Sequence, residues 1–149
     1  MGCDIHIVIE QKYGSNWIGI INSESIPYGT LDPDPTMRNY QFFAALAGVR
    51  GDGPEPKGIP EDASGLSRMY IEGRDKDGHS HSYMPLKDFI STWLSVHDDV
   101  LPIVTKEKLR GDTYRAEYNK VVRGLSMNTI WTYESEKIDD IRVVFWFDN

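Results

Sequence analysis

The chain holds four histidines, His6, His79, His81 and His97, and three of them sit in patterns that could do chemistry. His79 and His81 flank Ser80 within Gly78-His-Ser-His-Ser82. On an extended strand, residues i and i+2 project from the same face, so both imidazoles could reach one atom. Asp4 and His6 have the same spacing near the start of the chain. Two such pairs facing each other would supply His6, His79, His81 and Asp4 to one site. That donor set suits a divalent metal ion, with the three imidazoles as ligands. The same residues could instead work as general acid and base, because imidazole titrates near neutrality. Against both stands a plainer reading, in which His-x-His is polar strand surface. His6 carries more weight, because it interrupts an apolar strand and so needs either a partner, such as Asp4 or Asn149, or a pocket to line. His97, beside Asp98 and Asp99, reads as a solvated loop residue.

A second group could hold an anion. Arg38-Asn39-Tyr40 opens a helix, where backbone N–H groups attract negative charge and a guanidinium adds a forked donor. Arg50-Gly51-Asp52-Gly53 follows that helix. It is rich in glycine but lacks the spacing of a nucleotide phosphate loop. With Ser82, the residues Arg38, Asn39, Tyr40 and Arg50 form the expected set for a nucleotide or other small phosphate ligand. Trp17, Trp93, Trp131 and Trp146 read as core rather than as stacking platforms. Glu10 shares a strand face with Asp4, but about 20 Å of extended chain separates them, so it reads as a strand-end charge.

These residues need a scaffold. Ile5, Ile7 and Ile9 alternate with Asp4, His6, Val8 and Glu10, which predicts a strand over 3–10. A turn at 13–16 and a short strand over 17–21 complete a hairpin. Residues 22–36 read as a loop. Thr36 is expected to cap a helix over 37–49, stopped at Gly51. A loop rich in proline and glycine follows over 51–60, then a short helix within 61–72 and a turn at 75–78. A strand is expected over 79–84. Pro85 opens an amphipathic helix with Leu86, Phe89, Ile90, Trp93 and Leu94 on one face. Another helix is expected over 112–123. The almost continuously apolar 141–149 predicts a central strand buried on both faces. If the first and last strands pair, Asp148 lies near the polar face of the first. The fold expected is α+β: one domain over 1–149, with a small mixed or antiparallel sheet that includes both terminal strands and about three packed helices.

Bulk composition narrows the partners. A net charge of -7 offers no broad basic surface for duplex nucleic acid, though the 16 Lys and Arg residues leave room for a small anion. The apolar runs are too short to span a membrane, and no signal peptide is visible. A lone Cys3 excludes an intrachain disulfide and suits a reducing cytoplasm. Nothing in the composition opposes a homo-oligomer.

The chain resembles a widespread family of small proteins of bacteriophages and some bacteria. The likeness rests on Met1-Gly-Cys-Asp-Ile-His6, on Arg38-Asn-Tyr40 with Phe43-Ala and Gly48-Val-Arg50-Gly-Asp-Gly-Pro54, on Gly78-His-Ser-His-Ser82, and on Val144-Phe-Trp-Phe-Asp-Asn149. It runs the length of the chain and implies a phage-related origin. In that setting, a polar pocket suggests a phosphoesterase acting on a cyclic nucleotide of host immune signalling, with or without a divalent metal. The alternatives are a non-catalytic nucleotide sponge and a protein inhibitor of a host defence factor, for which the acidic surface is suited. A two-histidine phosphoesterase would carry His-x-Ser or His-x-Thr twice, and His6-Ile7-Val8 departs from that pattern.

Overall fold

A computed structural model describes residues 2–22, 38–96 and 141–149. Strand β1, Asp4–Tyr13, turns through Gly14-Ser15 into β2, Asn16–Asn22. Gly14 sits at φ 62°, the positive φ that a two-residue hairpin turn favours at its first central position. Helix α1 is Tyr40–Ala47 and the short helix α2 is Gly65–Met69. One π-helical turn, Tyr70–Arg74, continues α2. Strand β3, His79–Pro85, runs directly into helix α3, Leu86–Val96, and β4 is Ile141–Asp148. The four strands form one antiparallel sheet in the order β2-β1-β4-β3.

The α+β class and the pairing of the first and last strands are as the sequence indicates. Among the described residues there are two full helices, α1 and α3, where about three were expected. The third is the single turn of α2, and the helix expected over 112–123 lies outside the described residues. Helix α1 also starts later than expected. Asn39, not Thr36, is its cap: it has extended backbone and its side chain accepts from the Phe42 N–H at 3.1 Å. Gly48 ends the helix three residues before Gly51, at φ 68°, the left-handed conformation of a helix C-cap.

The sheet is covered on both faces, so β4 is buried along almost its whole length. Ile5, Ile7 and Ile9 join Val143, Phe145 and Phe147 on one face, packed with Phe42, Phe43 and Leu46 of α1 and Leu86 and Phe89 of α3. Each such fully buried side chain contributes roughly 1.5–3 kcal/mol by leaving water. Val8, Val144 and Trp146 form the opposite face with Ile71, Leu66 and Tyr83.

At one end of that second face lies a buried ion pair. Glu10 is fully buried, and its Oε1 accepts from Arg142 Nε at 2.6 Å. Its Oε2 accepts from the Ser64 N–H and the Ser67 hydroxyl, both at 2.7 Å. Arg142 also donates to Asp62 Oδ1 at 2.9 Å and to the Asp62 carbonyl at 3.2 Å. Its guanidinium lies 4.0 Å over the Trp17 ring. Glu10 is therefore a buried anchor and not a strand-end charge. A buried carboxylate is tolerated only when paired and hydrogen-bonded. This one ties the segment leading into α2 to the sheet.

Candidate functional site

The register of β1 against β4 opposes Asp4 to Asp148 and His6 to Trp146. Cross-strand partners share a face. His6 thus lies on the side of the sheet covered by α2 and the π-turn, with Asp148 diagonally beside it. His6 Nε2 is 2.7 Å from Asp148 Oδ2. On the other side of the ring, Nδ1 is 3.9 Å from Asp75 Oδ2. The π-turn positions Asp75 through a bond from its N–H to the Tyr70 carbonyl at 2.8 Å. The Trp146 indole N–H then donates to Asp75 Oδ2 at 3.2 Å, which fixes the carboxylate.

An open cleft with a volume of about 470 Å³ is lined by Asp75 and Asp148, the two carboxylates that flank His6, and not by the imidazole itself. Gly2, Asp4 and Arg38 line one part of it, Arg74, Asp75, Asp77 and Gly78 another, and Asp148 and Asn149 the rest. Arg38 grips Asp4 with two hydrogen bonds, 2.6 and 3.1 Å. That bond holds the Asp4 carboxyl below its ordinary value of 3.8. Gly78 permits the close approach of the turn to the sheet. A Cβ there would stand 2.8 Å from Trp146 Cδ1 and 3.0 Å from the Asp75 carbonyl oxygen.

The three expected imidazoles do not converge. Strand β4 runs between β1 and β3, and the Trp146 indole stacks with His6 at 6.1 Å and with His81 at 6.3 Å, one on each flank. His79 is turned away by a β-bulge. The pairing of β3 with β4 shifts between His79 and Ser82, and Ser80 takes φ 54°. His79 therefore opposes Phe147, with ring centroids 6.4 Å apart, and belongs to the face opposite His81. One inserted residue breaks the i, i+2 rule. Among the described residues, no three His, Cys, Asp or Glu side chains gather closely enough to hold a metal ion, so the expected His6, His79 and His81 set does not assemble.

The expected anion-binding residues also separate. Arg38 reaches the cleft. Asn39 caps α1. The Tyr40 hydroxyl accepts from the Cys3 N–H at 3.3 Å, and Arg50 lies 5.3 Å over the Tyr40 ring. Ser82 is buried, and its hydroxyl accepts from the Lys57 N–H at 3.1 Å, pinning the preceding loop to β3. The glycines of that loop serve packing: a Cβ on Gly53 would run into the Ala44 carbonyl oxygen of α1.

The sequence reading passed over Arg74 and treated Asp75 and Asp77 only as turn residues. The charge run Arg74-Asp-Lys-Asp77 immediately before Gly78-His79 was the available signal. His81 is set apart by its environment. Burial pushes its imidazole below the ordinary 6.5, and nearby His79 adds to the shift. Its Nε2 is buried without a hydrogen-bond partner among the described residues. No known family, curated protein or solved structure matches the chain. No helix among the described residues is long and apolar enough to cross a membrane.

Proposed function

We propose that the cleft is the active site of a phosphodiesterase acting on a nucleotide, with His6 as general base. The observation that carries this reading is the 2.7 Å contact of His6 Nε2 with Asp148, set against the 3.9 Å gap between Nδ1 and Asp75. When Nε2–H donates to Asp148, the lone pair of Nδ1 faces that gap. One water making two hydrogen bonds of about 2.8 Å spans such a distance. Donating to Nδ1 and to Asp75, it becomes a nucleophile whose proton passes to His6 as it attacks phosphorus. Asp148 holds the ring in the required tautomer and stabilises the imidazolium. Arg38 and Arg74 stand at the cleft to receive the phosphate oxygens.

Charge narrows the substrate. The lining brings four carboxylates, Asp4, Asp75, Asp77 and Asp148, against two guanidiniums, which leaves two negative charges when His6 is neutral. A dianionic phosphomonoester is repelled more strongly than a singly charged diester. The carboxylates not facing phosphate can accept from ribose hydroxyls or base N–H groups. The resemblance to phage proteins makes a cyclic nucleotide of host immune signalling the first candidate.

The test is incubation with cyclic mono-, di- and trinucleotides and matching monoesters, with and without EDTA, followed by chromatography. Hydrolysis of a diester, slowed about 10²–10⁴-fold by His6→Gln, is expected. Intact nucleotide released only on heating would replace the enzyme with a binder. Full activity in His6→Gln would remove His6 from the mechanism.

A further inference from the structure

The bulge that parts His79 from His81 creates a second constellation. Ser80 holds φ 54°, a left-handed conformation that strains a residue with a side chain and clusters at functional sites. In that conformation its Oγ lies 3.0 Å from His79 Nδ1. His79 Nε2 faces Asn149 Oδ1 at 3.4 Å on its other side. The donors form one consistent chain. The Asn149 carbonyl oxygen accepts from Nε2–H, which leaves the Nδ1 lone pair to accept from the Ser80 hydroxyl. Nucleophile, base and orienting group are thus in order, the arrangement shared by hydrolases that use an activated hydroxyl. Gly78 and Asn149, which adjoin the pair, line the cleft.

We infer that Ser80 is a nucleophilic serine, activated by His79 and oriented through Asn149, that reacts with uncharged carboxylic esters. The groups in contact with His79 favour that class over a phosphate: the Phe147 ring and the Asn149 amide offer an apolar wall and a neutral dipole. In the acylation step, Oγ attacks the ester carbonyl carbon and its proton passes to Nδ1. The bond from carbon to the alcohol oxygen then breaks, and that oxygen leaves with the proton. Water next attacks the acyl carbon and gives a proton to Nδ1. The carbon–Oγ bond breaks and Ser80 recovers its proton, releasing a carboxylic acid. This activity goes beyond the phosphodiester reading and needs neither His6 nor a nucleotide, so either can fail alone.

The experiment exposes the folded full chain to an alkyl fluorophosphonate, which serine attacks at phosphorus with loss of fluoride, followed by intact-mass measurement and peptide mapping. One adduct per chain, on Ser80, is expected, with none on the heat-unfolded protein. His79→Gln should label about a hundredfold more slowly, the contribution of a general base. Ser80→Gly is the variant that guards against misfolding, because glycine takes φ 54° without strain. It should lose the adduct without any fall in Tm. No adduct on the folded protein, an adduct elsewhere, persistent labelling of Ser80→Gly, or labelling of His79→Gln as fast as the parent would each overturn the assignment.

Discussion

Replacing Arg142 with Met tests whether the Glu10 anchor is a desolvated ion pair. Glu10 is wholly buried and Arg142 nearly so, and their contact is 2.6 Å. Methionine retains most of the aliphatic stem but removes the charge. The Glu10 carboxylate then keeps its bonds from Ser64 and Ser67 and loses its guanidinium partner, as Asp62 does. Breaking one side of a buried pair costs about 3–5 kcal/mol, because the remaining charge stays buried. At roughly 2–4 °C per kcal/mol for a chain of this size, Tm falls by about 6–20 °C. Urea denaturation and calorimetry measure both quantities. A second substitution, Glu10→Gln, should restore at least half of the loss in the Arg142→Met background, since the amide oxygen still accepts from Ser64 and Ser67 without carrying charge. A single variant within about 1 kcal/mol of the parent, the range of a surface pair, would refute the reasoning. So would a double variant no more stable than the single.

Three further outcomes are expected. His81 is held neutral below its ordinary 6.5, so the unfolded chain binds more protons than the fold. Its contribution is complete above pH 6.5 and is lost as pH falls through the folded value, at up to about 1.4 kcal/mol per pH unit. His81→Gln should flatten that slope in urea titrations at stepped pH, and an unchanged slope would reject the assignment. Gly78→Ala should lower stability by about 1–3 kcal/mol, because a methyl group 2.8 Å from the Trp146 ring must displace the turn. The Trp146 fluorescence environment should change with it, and unaltered stability and emission would show that the turn yields freely. Asp4→Asn should leave Tm unchanged at moderate salt, because the Asp4–Arg38 pair is about half exposed. A drop of several degrees would mean that the pair is structural.

What the sequence reveals follows the reach of each signal. The alternation of Ile5, Ile7 and Ile9, and the unbroken apolar run of β4, are local consequences of burial on one face and on two. They therefore predict the central strands and the approach of Asp148 to His6. Glu10 obeys the same alternation, but its partner Arg142 is 132 residues away and nothing local distinguishes a buried carboxylate from an exposed one. The bulge at Ser80 is invisible because His-Ser-His reads as regular strand, and the left-handed serine emerges only against the β4 register. Asp75 reads as a turn residue and is one. Its role comes from the π-turn that swings it over Trp146.

The bond between His6 and Asp148 joins residues 142 positions apart. At roughly 5–20 residues per second, a ribosome makes Asp148 about 7–30 s after His6. During that interval β1 can form its local hairpin with β2, but the strand that buries its isoleucines and brings Asp148 to His6 has yet to be made. A stalled or truncated product lacking β4 therefore leaves His6 without its Asp148 partner and the sheet without its centre.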